Sequence, residues 1–166
     1  MKLLLYLCFF CGIVIDTFSQ CSPSISLVGS SLSQTSDALL SSRAGLDYNS
    51  DLLIERAPGN LTININNADG CSNWQLSVSK TSIVWDATLK IWVNKTYDGT
   101  VSAPGASISP GGTTAYQEIT SFSQSFFSGV KSRSSIQISY KISGISVLLP
   151  AKAYSTTVYY TISASL

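Results

Sequence analysis

From residue 61 onward, apolar and polar residues alternate with a period of two. Leu61, Ile63 and Ile65 alternate with Thr62, Asn64 and Asn66. Trp74, Leu76 and Val78 alternate with Gln75, Ser77 and Ser79, and Leu89, Ile91 and Val93 alternate with Lys90, Trp92 and Asn94. The same spacing returns in Ile136, Ile138, Tyr140 and Ile142, and again in Val158, Tyr160 and Ile162. Successive side chains of a strand point to opposite faces, so each run predicts a strand with one buried face. Turn signals separate the runs: Ala57-Pro58-Gly59-Asn60, Asn67-Ala68-Asp69-Gly70, Asp98-Gly99, Pro104-Gly105 and Pro110-Gly111-Gly112. Ser102 to Thr114 reads as one long Gly/Pro-rich loop, and Ser24 to Val28 as a short first strand. Only Leu32 to Arg43 offers a short helix. Short strands at regular spacing predict an all-β antiparallel β-sandwich of about seven to nine strands.

The first residues follow another pattern. Lys2 precedes an apolar run from Leu3 to Ile15, shorter than the ~20 residues that span a bilayer. Thr17 and Ser19 put small residues at the −3 and −1 positions of a cut after Ser19. This predicts a signal peptide over 1–19 and a single β-sandwich domain over 20–166, secreted, periplasmic or held at the cell surface. No later run is long enough for a membrane span.

Export changes the meaning of the cysteines. Cys8 and Cys11 leave with the leader, and Cys21 and Cys71 remain. An even pair in an oxidising compartment predicts a disulfide. The alternative is acylation of Cys21, as in an exported lipoprotein, although Gln20 stands where such a site has a small residue. The two fates exclude each other.

Composition narrows the chemistry. Net charge is +1 and only 11% of residues are charged, which gives no electrostatic case for nucleic acid. The chain has no histidine, which removes Ser-His-Asp and Cys-His catalysis and most transition-metal sites. Asp47-Tyr48-Asn49-Ser50-Asp51 spaces oxygen ligands like the start of a calcium loop, but Leu52 and Pro58 stand where that loop needs Gly and Glu. Asp86 and Glu118 are two carboxylates among nine acidic residues, without spacing that marks a glycosidase pair. The expectation is therefore a non-enzymatic protein with no cofactor and no metal. Trp92 lies on the face opposite Ile91 and Val93, either exposed or covered by a loop. With Tyr97 nearby in sequence, it is a candidate contact for a sugar ring or a protein partner. Asn60 and Asn94 open acceptor tripeptides for N-glycosylation.

The segment Pro150-Ala151-Lys152-Ala153-Tyr154, leading into Ser155 to Ile162, resembles the end of spore-coat-U-type domains and of chaperone–usher, pilin-like β-sandwiches. In those domains a Pro, a small residue and a Tyr precede a final alternating strand. The placement of Cys21 and Cys71 is also similar. The resemblance implies an immunoglobulin-like (pilin-like) fold and a structural or adhesive role in extracellular coats or fimbriae, without catalysis. Polymerising fimbrial subunits donate a strand that precedes their first cysteine. Here a cut after Ser19 leaves Gln20 alone before Cys21, so assembly by such a tail is not expected. The final strand, with Val158, Tyr160 and Ile162, is the candidate assembly edge: it lacks charge after Lys152. The expected partners are a protein paired through that strand, self-assembly included, or a glycan.

Overall fold

The computed structural model describes residues 21–29, 52–54 and 61–165. Among them are eleven strands: β1 (Ser24–Val28), β2 (Leu52–Ile54), β3 (Thr62–Asn66), β4 (Asn73–Val84), β5 (Lys90–Tyr97), β6 (Thr100–Val101), β7 (Ser107–Ser109), β8 (Gln117–Glu118), β9 (Gln124–Val130), β10 (Arg133–Ser143) and β11 (Ser155–Ser165). Four of these have only two or three residues, so seven form the body of the fold. One sheet runs β1-β3-β10-β5-β8, with β2 and β6 also on β10; the other runs β11-β4-β9-β7. The two antiparallel sheets pack face to face as a β-sandwich, as the period-two pattern predicts.

The alternation decides what is inside. Trp74, Leu76 and Val78 of β4, Ile91 and Val93 of β5, and Ile136, Ile138 and Tyr140 of β10 are all buried. Trp74 is the largest of them. Its ring meets Phe127 edge-on at 6.1 Å, and its Nε1 donates to the Lys131 carbonyl at 2.7 Å. A side chain at Gly129 would put its Cβ 2.4 Å from the Trp74 ring, so β9 must carry glycine there.

Several pairings shift register, and two of these shifts redirect side chains. Leu76 pairs with Phe127 but Ser77 pairs with Ser125, so Phe126 is an extra residue in β9. This bulge lets Phe126 and Phe127 both point inward, which hid β9 from a search for alternation. In β10 a second bulge lies between Arg133 and Ile136, with Ser135 at φ 57° and its N–H donated to Asn64 Oδ1 at 2.7 Å. The expected loop from Ser102 to Thr114 also needs correction. It contains β7, which pairs with β9 and supplies the hydrogen bonds that its Gly/Pro content concealed. The candidate helix at Leu32 to Arg43, the Asp47 to Asp51 turn and Asn60 lie outside the described residues.

Cys21 and Cys71 are bonded, with their Cα atoms 4.7 Å apart, and acylation of Cys21 is set aside because its sulfur is in this bond. The bond ties the segment before β1 to the turn before β4. Closing a loop of this length stabilises the fold by roughly 4 kcal/mol on the chain-entropy model. In β5, Lys95 occupies an inward position and is completely buried. Its ammonium donates to the Asp98 carboxylate and to the Gly112 carbonyl. The second Asp98 oxygen accepts the Gly112 N–H at 2.7 Å. Burial pushes the Asp98 carboxyl up, but the Lys95 and Gly112 hydrogen bonds and the Lys95 and Arg133 charges outweigh it. The net pKa lies below the usual 3.8.

This cluster generates a prediction. Asp98→Asn leaves the Lys95 ammonium buried without its counter-charge and is expected to cost about 3 kcal/mol. Lys95→Met, which leaves a partly solvated carboxylate, costs less. Because the folded carboxyl is depressed, its contribution is present above pH 3.8 and is lost as pH falls below it. Urea denaturation from pH 7 to pH 2 should show a shallower acid loss in Asp98→Asn than in the parent.

Candidate functional site

The strands at the sheet margins differ in length. β8 has two residues, β7 has three and β1 has five, whereas β11 has eleven. β11 pairs with β4 along its whole length, from Ser155 opposite Val84 to Ser165 opposite Asn73. Among the described residues no strand lies on its other side. An antiparallel ladder uses the main-chain groups of alternate residues, so about five N–H and five C=O groups of β11 face outward. Lys152 stands before the strand, and no charge follows from Ala153 to Ser165. Charges and proline are the usual protection of such an edge, and β11 has neither. Val158, Tyr160 and Ile162 are where the alternation predicts them, on the inner face and packed against the core. What β11 offers outward is its backbone together with the opposite row, including Tyr159, which is half exposed.

Among the described residues a groove runs beside this edge. β1 and β11 face each other across the gap between the sheets. Leu27 of β1 sits opposite the buried Ile63, on the inner row, yet it is 48% exposed. A groove of about 470 Å³ follows, lined by Leu27, Leu61, Trp85, Tyr140, Val158 and Tyr160 among others. The Tyr140 and Tyr160 hydroxyls share a hydrogen bond at 2.7 Å, and Trp85 Nε1 donates to the Leu89 carbonyl at 2.7 Å. Burial pushes the Tyr140 phenol up to about 12, and Tyr160 rises as well, also through burial. An unpaired strand edge beside an apolar groove can take an extended segment: main-chain groups bind its backbone and the groove takes its alternate side chains.

A second constellation lies on the outer face of the other sheet. Trp92 is half-buried there, and its Nε1 donates to Ser143 Oγ at 2.8 Å. The Lys141 ammonium lies between two rings, 5.1 Å from the centroid of Trp92 and 5.3 Å from that of Tyr116. The Lys90 ammonium is 5.9 Å from the Trp92 centroid and pairs with Glu118 at 3.2 Å. Tyr116 holds Ser139 through its hydroxyl at 3.1 Å. Trp92 is thus half-buried, flanked by Lys90 and Lys141, with Tyr116 of the segment before β8 on the other side of Lys141. Tyr97 does not join it, because five residues of strand separate the two by about 17 Å. Tyr116 takes the place expected of Tyr97. No periodicity marked Tyr116, since it precedes the two-residue β8 and reaches Trp92 only through strand pairing. Asn94 also faces this side, and its Oδ1 accepts from Thr114 Oγ1 at 3.2 Å. Asp86 accepts from the N–H and hydroxyl of Thr88 in a turn, while Glu118 is engaged by Lys90.

No family model matches this chain, and no curated protein and no solved structure matches it either. What defines the molecule is its architecture: an antiparallel β-sandwich in which, among the described residues, the long strand β11 has a neighbour on one side only.

The tyrosine pair makes the groove sensitive to alkali. Unfolded tyrosines ionise near pH 10, whereas Tyr140 stays protonated to about pH 12. A raised folded-state pKa gives a contribution that is complete below pH 10 and lost as pH rises toward 12. Urea midpoints should therefore fall over that window, and less steeply in Tyr140→Phe/Tyr160→Phe. At neutral pH, Tyr140→Phe alone should cost about 1 kcal/mol through the lost hydrogen bond.

Proposed function

We propose that this chain is an exported, non-enzymatic subunit of a cell-surface structure, of coat, fimbria or adhesion type, which associates by strand pairing along β11. The observation that carries the reading is the edge of β11, which has no neighbouring strand among the described residues: eleven residues, uncharged, and beside an apolar groove. A row of main-chain donors and acceptors left open beside exposed apolar side chains is a template for another chain. The Cys21–Cys71 bond fits an oxidising compartment, and the described residues hold no helix long and apolar enough to cross a membrane. The likeness of Pro150 to Ile162 to spore-coat-U-type and pilin-like ends points the same way.

The platform of Trp92, Lys141 and Tyr116 favours a second reading, a small carbohydrate-binding module. Aromatic faces stack on sugar rings, and flanking ammonium groups donate hydrogen bonds to hydroxyls or carboxylates.

Two measurements test these readings. Surface extracts of the source cells should contain the protein in assemblies larger than the monomer, by gel filtration and immunogold electron microscopy. Thr157→Lys, at an exposed position of β11, should abolish them while the circular-dichroism spectrum of the purified protein is unchanged. A protein found in the cytosol, or always as an unaccompanied monomer, would overturn the first reading. On a glycan array, Trp92→Ala and Tyr116→Ala should each remove a specific signal if the platform binds sugar. An array blank for the parent protein would overturn the second.

A further inference from the structure

We infer that the partner along β11 is a second copy of this chain, docked antiparallel about a two-fold axis so that the four-stranded sheet continues into its own copy. This rests on the reading of β11 as an assembly edge. A two-fold contact requires a surface complementary to itself. An antiparallel strand meets that requirement through its backbone, because each outward N–H finds a C=O when the same strand is turned around.

The side chains allow it too. The outward row of β11, Thr157, Tyr159, Thr161 and Ser163, carries hydroxyls and no charge. The same is true of its neighbours on β4: Ser77, Ser79 and Thr81 carry hydroxyls, and Gln75 an amide. Two copies therefore meet without like-charge repulsion across two strands on each side. The nearest charge on β4, Lys80, is held over the Trp85 ring at 5.7 Å. The Lys152 residues of an antiparallel pair fall at opposite ends of the joint, beyond the reach of screened repulsion.

Full overlap puts Tyr160 opposite its own copy and Tyr159 opposite the partner's Thr161. Eleven residues give about 37 Å of edge. That supplies about ten main-chain hydrogen bonds, as many as a typical stable interface has. The inner row of Val158, Tyr160 and Ile162 then continues into the same row of the second copy, beside the half-exposed Leu27. Such a contact closes on itself, so β11 builds a dimer and not a filament. A surface structure made of this subunit would be built from dimers.

The test uses the signal-cleaved, disulfide-bonded protein and sedimentation equilibrium at tens of micromolar. The parent should have twice the monomer mass. Tyr159→Lys/Thr161→Lys places four lysines around the axis and should yield monomers, as should Tyr159→Glu/Thr161→Glu. Both positions are exposed, and an unchanged far-ultraviolet circular-dichroism spectrum with a cooperative melt will confirm that the fold is intact. Mixing the two doubles in equal amounts should restore the dimer. A monomeric parent overturns the inference, and so does a dimer that both doubles leave intact or that the mixture fails to rebuild. If the monomeric parent is instead recovered from native surfaces bound through β11 to a different polypeptide, the second copy is refuted while the assembly reading stands. If it is monomeric and bound to nothing, both fall.

Discussion

The fold depends on burying Trp74 between the two sheets. Its ring is completely enclosed, packs on Phe127, donates its N–H to Lys131 and occupies the space that glycine leaves at position 129. A tryptophan of that size sets the spacing of the layers and fixes which face of β4 looks inward. Once that face is set, register follows, because a slip of one residue would send Trp74, Leu76 and Val78 to solvent. β4 is also the strand that binds β9 on one side and β11 on the other. The edge that carries the functional proposal is thus registered directly by the strand that anchors the core.

The sandwich is closed unevenly. At one margin it ends in β7 and β8, too short to recruit another chain, and the Lys95–Asp98–Gly112 cluster ties down the nearby turns. At the other margin, among the described residues, a groove lies between β1 and β11, and Leu27 of the inner row is half exposed. The disulfide and the buried ion pair hold the fold, while among the described residues the long edge of β11 has no further strand beside it. The aromatic platform of Trp92 and Tyr116 lies on a third surface, the outer face of the larger sheet, so strand pairing and ligand contact would not compete.

Much of this was legible in the chain. The alternation located β3, β4, β5, β10 and β11 and assigned the buried row of each. The even pair of Cys21 and Cys71, expected from an export reading of the first residues, anticipated the disulfide. The absence of charge after Lys152 marked the last strand as a poor edge. What escaped reading shares a cause. Phe126 is inward because a bulge adds a residue to β9, and Lys95 is inward because Asp98 and Gly112 fold back to meet it. Neither fact has a local signature.

By itself, then, the sequence determined the all-β class, the faces of its main strands and the cysteine pair, because period and residue type act over a few neighbouring positions. Only the tertiary structure decided which strand lies at a margin, that Tyr116 rather than Tyr97 joins Trp92, and that Leu27 is left half exposed. Those outcomes follow from strand order and pairing across scores of residues. A strand reads the same in sequence whether it has a neighbour on one side or on both.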